Sequence, residues 1–194
     1  MNYIILDLEF NCPCKINTIT HKIEKGYVNP KIQFEIIEIG AIKFDSNFNM
    51  IDTFRIFVRP QVYKVLHPKV KRLTKITKED LKYAHTLEQS INYFRKWIKD
   101  NIVFCSWGKS DFIVLKNNCE FYNIDTNWIK NYIDIQNIYV IKYELKNLVS
   151  LRNVVKLLEI ENDKKFHKAL NDAFYTGEIM KKLNIEDVSK YFIE

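Results

Sequence analysis

The chain has 194 residues, with 30 Lys plus Arg against 24 Asp plus Glu, and so a formal charge of +6. Hydrophobic residues make up 47%, with 4 Gly and 4 Pro, and a domain of this length removes roughly 70% of its unfolded-chain surface from water, so disorder and fibrous repeats are excluded. No apolar run approaches the roughly 20 residues of a membrane helix, and the opening MNYIILDLEF lacks the pattern of a secretory signal; no membrane association and a cytoplasmic setting are expected.

Residues 3–10 are apolar except for Asp7 and Glu9, the composition of a central strand buried on both faces. Residues 11–33, with Pro13, Gly26 and Pro30, lack periodicity and read as a long surface loop. Residues 34–44 and 51–58 read as strands joined through Asp45, Ser46, Asn47 and Asn49, a tight antiparallel reversal. Short helical pieces follow over 60–82, with Thr77 as a helix cap, and then a helix over 87–99. A fourth strand is expected at 102–106, followed by a helix capped by Ser110 or Asp111. A fifth strand at 132–135 precedes helices over about 136–143, 150–158 and 169–183. The order predicts an α/β fold, a mixed sheet covered by helices on both faces, in one domain spanning 1–194.

The four cysteines, Cys12, Cys14, Cys105 and Cys119, are too unevenly placed for a disulfide framework. Cys12 and Cys14 with His21 offer zinc ligands, but no second Cys pair follows at structural-zinc spacing. The excess of Lys and Arg favours a polyanionic partner through its field, or is an ordinary solvated surface.

Residues i and i+2 of a strand share a face, so Asp7 and Glu9 project together alongside Tyr3 and Ile5. Two unit charges about 4 Å apart repel by roughly 4 kcal/mol at an effective dielectric near 20, a conflict that a metal ion or a distant Arg would resolve. Asp111 falls just after a strand at a helix start, where a carboxylate is either a structural cap or part of a site. His167 and Asp172 are five residues apart, about 140° around a helix. They therefore do not share a helix face; His167 in the preceding loop or first turn and Asp172 on the inward face would reach one site.

Together these residues resemble the DEDDh exonucleases, a family of the ribonuclease H-like fold with a five-stranded mixed sheet. Asp7 and Glu9 match its first motif, Asp111 its second, and His167 with Asp172 its third, H-x-A-x-x-D. The stretches EIIEIGAIKFD, LTKITKEDL and FCSWGKSD are also similar to the family, and the D-x-E-F opening and W-G step resemble the branch of enhanced-RNA-interference and sporulation-inhibitor-type exonucleases.

The resemblance implies a 3′–5′ exonuclease acting on single-stranded RNA or DNA and releasing nucleoside monophosphates. Asp7, Glu9, Asp111 and Asp172 would hold two divalent ions, Mg²⁺ or Mn²⁺, and His167 would be the general base toward the attacking water. Phe10, Trp107 and Leu8 are candidates for contacting a base or, alternatively, for core packing. Many relatives carry a small or hydroxyl residue where Phe10 stands. Lys168, with Lys164 and Lys165, flanks His167, and Lys15, Lys22 and Lys25 lie in the long loop; each group is either a phosphate track or a solvated face. Two other functions fit the same pattern: a catalytically silent nucleic-acid-binding domain, and an enzyme restricted to very short oligoribonucleotides.

Overall fold

The first strand, β1 (Asn2–Asn11), buries Tyr3, Ile4, Ile5, Leu6 and Leu8 on its two faces, as a strand with neighbours on both edges must. The computed structural model describes residues 2–17, 19–20, 22–99, 102–185 and 188–193. After β1 come β2 (Cys14–Ile16) and β3 (Ile23–Lys25), β4 (Glu35–Phe44) and β5 (Met50–Phe57), then α1 (Pro68–Thr74), α2 (Lys78–Lys82) and α3 (Leu87–Ile98). Strand β6 (Ile102–Ser106) leads into α4 (Ser110–Phe121), and β7 (Tyr132–Asp134) into α5 (Ile135–Lys142), α6 (Leu151–Leu157) and α7 (Ala169–Leu183), before β8 (Phe192–Ile193).

The sheet order is β5-β4-β1-β6-β7-β8. β1 runs antiparallel to β4 and parallel to β6. The five strands expected from the sequence are all present, and the two-residue β8 adds a sixth at the edge, antiparallel to β7. The stretch read as a plain loop contains an exposed hairpin, β2 with β3, in the register Cys14–Lys25 to Ile16–Ile23. Two three-residue strands are too short to leave an alternating pattern in the sequence.

The β4–β5 reversal is held by Asp45, whose Oδ1 accepts from the Asn47 and Asn49 amides at 2.8 and 2.9 Å. Thr77 caps α2 in a reciprocal capping box with Asp80. α4 has no side-chain cap: Lys109 occupies the cap position, and Asp111 lies inside the first turn, which corrects the expected capping role of Ser110 or Asp111.

Both faces of the sheet are covered. Tyr3, Ile5, Ile42, Phe44 and Val103 pack with residues of α5, α6 and α7 on one side. On the other, Ile4, Leu6, Leu8, Ile39 and Phe104 pack with residues of α3 and α4. The alternation of β1 therefore places Asp7 and Glu9 on the α7 side. No helix among the described residues is long and apolar enough to cross a membrane.

Candidate active site

The parallel pairing of β1 with β6 runs from Asn2 to Ile5, and beyond it the two strands part at their carboxyl ends. A crevice at such a point is where open α/β sheets place ligands. The Leu8 amide, past the end of that ladder, donates to Oδ1 of Asp111 at 3.0 Å. One carboxylate oxygen thus completes the backbone bonding of β1 and fixes Asp111, 7% exposed, beside Asp7 and Glu9.

Asp111 is carried by a rigid turn. The Ser106 and Tyr132 hydroxyls both donate to the Gly108 carbonyl, and the Gly108 amide donates to Oδ1 of Asp134 at 3.1 Å. Gly108 has φ of +85°, a backbone region that favours glycine. The Trp107 indole donates to the Val149 carbonyl at 3.2 Å and packs beside Tyr139, so this half-buried ring ties the turn to the α5–α6 side.

Asp172 enters from α7, with 7% exposure. Its Oδ2 accepts from the backbone amide of His167 at 3.0 Å, which holds the histidine just ahead of the helix. His167 takes φ of 61°, a left-handed conformation that His adopts more readily than most residues. The loop before it is pinned to α7: the Tyr175 hydroxyl accepts from the Lys164 amide at 2.8 Å, and Asn171 Nδ2 donates to the Lys165 carbonyl at 2.8 Å. Phe166 stacks on Tyr175 and lies under the Arg152 guanidinium.

Ligand atoms of Glu9, His167 and Asp172 lie within 4.8 Å of one another. Burial raises the Asp7 carboxyl well above the usual range, helped by the charges of Asp111, Asp172, Glu9 and Glu38. Glu9 is pushed up to about 8 by burial and then by Asp172, Glu38 and Asp111, with Lys168 opposing. Burial also raises Asp111, against the Leu8 hydrogen bond, and Asp172, against the His167 amide and Arg152. His167 is shifted the other way: partial desolvation, then the Arg152 charge, lowers its pKa and favours the neutral ring.

Two residues absent from the sequence reading complete the site. Glu38 on β4 stands opposite Glu9, is fully buried, and accepts from Arg55 Nε at 2.5 Å through Oε1. Gly40 stands opposite Asp7, and a Cβ there would lie 2.3 Å from the backbone of Ala169 and Leu170. That missing side chain lets the start of α7 sit directly on β4. Both residues occur in the stretch EIIEIGAIKFD, whose apolar character signals a strand but not that Glu38 faces inward.

Divalent cations fit this site on its own chemistry. Oδ1 of Asp172 and Oε2 of Glu38 are buried without a hydrogen-bond partner, whereas buried polar atoms ordinarily have one. The ion pairs of the described residues involve none of Asp7, Glu9, Asp111 and Asp172, and Lys168 and Arg152 offset the raised Glu9 and Asp172 only in part. Four carboxylates offer the oxygen ligands of a hard cation. By contrast, the grouping of ligand atoms found among the described residues contains neither Cys12 nor Cys14, and His21 lies outside the described residues.

The other candidates separate. Leu8 is 4% exposed within the second core, so the packing alternative holds for its side chain. Phe10 is half-buried, stacks obliquely on Phe34 with ring centres 5.1 Å apart, and lines a cavity of about 270 Å³ with Ser110, Ile113 and Val114. Lys168 is half-buried beside Glu9. Lys164 Nζ pairs with Asp163 at 3.1 Å, while Lys165, Lys15, Lys22 and Lys25 are exposed.

Comparison with known proteins agrees with this geometry. A family model described as RNase_T, Exonuclease, matches residues 4–180. The "Probable 3′-5′ exonuclease KapD" of Bacillus subtilis (strain 168) is 27% identical over 180 residues, covering 92% of this chain and 82% of that one. Among solved structures, the nuclease domain of 3′hExo bound to rAMP, described as a DEDDh family member, superposes with a TM-score of 0.79 at 21% identity, over 100% of this chain and 96% of that one. Escherichia coli Exonuclease I in complex with a dT13 oligonucleotide superposes with a TM-score of 0.70 at 16% identity, over 94% of this chain and 40% of that one. The fold is thus ribonuclease H-like. The chain belongs to the DEDDh 3′–5′ exonuclease family, which implies divalent metal ions.

Proposed function

We propose that residues 1–194 form one exonuclease domain that removes nucleoside monophosphates stepwise from the 3′ end of single-stranded RNA or DNA, using two divalent ions, Mg²⁺ or Mn²⁺, in the cytoplasm. The observation that carries this reading is the convergence of Asp7, Glu9, Asp111 and Asp172 with His167 in one crevice. The printed names of the relatives add support: KapD is a probable 3′-5′ exonuclease, 3′hExo binds rAMP, and Exonuclease I binds dT13. Four unpaired cysteines accord with a reducing compartment.

Asp7, Glu9, Asp111 and Asp172 would hold the ions. Bound there, a divalent pair activates water and neutralises charge on the attacking and leaving oxygens of the phosphodiester. His167, kept neutral near pH 7, accepts the proton of the attacking water at a ring nitrogen. Asp172 fixes the histidine through its backbone amide, and Lys168, beside Glu9, draws the scissile phosphate inward. Phe10 offers an aromatic face to the terminal base.

A time course on 5′-labelled RNA and DNA of one sequence, with Mg²⁺, Mn²⁺ or EDTA, tests this for the wild type and Asp172→Ala. The expected result is a ladder shortening by one nucleotide at a time, lost with EDTA and in the variant. No cleavage of either strand by the folded wild type with metal present would overturn it in favour of a silent binding domain.

A further inference from the structure

Two adjoining cavities, of about 550 and 810 Å³, lie away from the carboxylates, and both are lined by Lys64, Leu66 and Lys78. They form one groove across α1, α2 and the segment before them. Arg59 and Lys82 complete the basic lining of one half, and Lys71, Arg72 and Lys75 that of the other. No Asp or Glu is among the lining residues. Seven of the chain's 30 basic residues therefore line the groove, while Glu79 and Asp80 of α2 lie outside its lining.

The groove is built rather than incidental. Both oxygens of the buried Glu35 accept backbone amides of residues 61–63, at 2.6–3.1 Å. Asn11, two residues beyond Glu9, donates to the Tyr63 and Val65 carbonyls and accepts from the His67 amide. The wall is thereby fixed to the same strand ends that carry the active site. On the other side, Asp80 of α2 lies within the fields of Lys168 and Arg55, the partners of the site carboxylates Glu9 and Glu38. α2 is thus within electrostatic reach of Lys168 at the catalytic rim, through the Asp80 carboxylate. Val65, Leu66, Pro68 and Leu81 give an aliphatic surface between the lining cations, suited to sugar and base faces while lysines meet phosphates.

We propose that this groove holds the phosphate backbone of the substrate strand on the 5′ side of the nucleotide being removed. The inference rests on the exonuclease reading and deepens it, since it makes the substrate a strand of many nucleotides rather than a dinucleotide. A polyanion with regularly spaced charges fits a groove whose lining holds seven cations and no carboxylate, and its attachment through Asn11 to the strand that carries Glu9 favours nucleic acid over an acidic protein segment.

The test compares the wild type with Lys71→Ala/Arg72→Ala/Lys75→Ala, three exposed positions whose truncation spares the core. Binding of a labelled 20-nucleotide single strand is measured in EDTA across a NaCl series, and degradation of a trinucleotide is measured with metal. Single strands lose about 0.7 of a logarithmic unit of affinity per phosphate contact and decade of salt, so the variant's salt slope should fall by about 2 and its affinity near 0.15 M by about 10- to 50-fold. Trinucleotide kcat/KM should change less than about twofold, because Lys71, Arg72 and Lys75 line the groove and not the carboxylate crevice. Unchanged strand affinity and slope would overturn the groove. Equal loss on the trinucleotide would also overturn it, by making the charges part of the catalytic centre. A polyglutamate peptide bound by the wild type and lost in the variant, with strand binding intact, would assign the groove to an acidic protein. A wild type that binds the strand in EDTA yet degrades neither substrate would refute the exonuclease reading and not the groove.

Discussion

Gly40 and Ala169 meet backbone to backbone: a Cβ on the glycine would stand 2.3 Å from the Ala169 carbonyl carbon and from the Leu170 amide nitrogen. Neither atom belongs to a flexible side chain, so a methyl group must push α7 off β4. His167 and Asp172 ride on the displaced end of that helix. Gly40→Ala should cost about 1–3 kcal/mol of stability through overpacking and lower kcat by roughly 10²-fold, the cost of misplacing catalytic groups by about 1 Å. Urea denaturation and turnover at saturating metal measure the two effects. Wild-type values for both would show that the sheet yields there without disturbing the helix.

The raised carboxyls make stability depend on pH with a definite sign. Glu9 titrates near 8 in the folded protein and near 4.3 as a free side chain, so folding takes up a proton between these values. Its unfavourable contribution is absent below about 4 and complete above about 8. In EDTA, Glu9→Gln should therefore melt at a higher temperature than the wild type near pH 8, with the gap closing toward about pH 5 as Glu9 protonates. Added Mg²⁺ should reverse the order at the upper end, because the cation favours the ionised wild-type site. A gap independent of pH would mean that the glutamate's charge is not what burial opposes.

Much of this site is legible in the sequence because its residues stand at fixed places on regular elements. Strand alternation puts Asp7 with Glu9 on one face, and the five-residue spacing of His167 and Asp172, about 140° around a helix, separates them so that His167 stands ahead of α7. Asp111 is harder to read, since a carboxylate near a helix start is usually a cap; its bond to the Leu8 amide joins residues 103 positions apart. Glu38 and Gly40 are hidden for a related reason. A sequence shows that β4 is a largely apolar strand, but not that α7 lies across it closely enough to demand a glycine, nor that Arg55 reaches Glu38 from β5. The basic groove gathers Arg59 through Lys82 from a loop and two short helices, and only tertiary anchoring by Glu35 and Asn11 makes those charges adjacent.

His167 has two separable roles. Its ring is exposed at the rim, while its backbone amide is bonded to Asp172. His167→Ala keeps that amide, so substrate and metal affinity should stay within about threefold of wild type while kcat falls by about 10²- to 10⁴-fold, the usual worth of a general base. The neutral ring is the active form, so the basic arm of the wild-type pH–rate profile should stay level while its acidic arm falls, and that acidic arm should be lost in the variant. Rates measured at saturating metal across this range check both points, and unchanged turnover in the variant would remove His167 from the chemistry.

Phe10 separates binding from chemistry. Its ring and Phe34 wall the cavity of about 270 Å³ that also touches Ser110, the neighbour of Asp111, so a base seated there leaves its phosphate near the carboxylates. Base–aromatic stacking is worth about 1–3 kcal/mol and tolerates any sequence. Phe10→Leu keeps apolar volume at this half-buried position but removes the aromatic face. It should raise KM by roughly 5- to 150-fold, the same free energy expressed as a ratio, with kcat near the wild-type value and no change in base preference. The measurement is steady-state kinetics on homopolymers of each base. A fall in kcat at constant KM would instead make Phe10 a support for the carboxylate beside it, Glu9, whose placement in β1 depends on the register shift between these two residues.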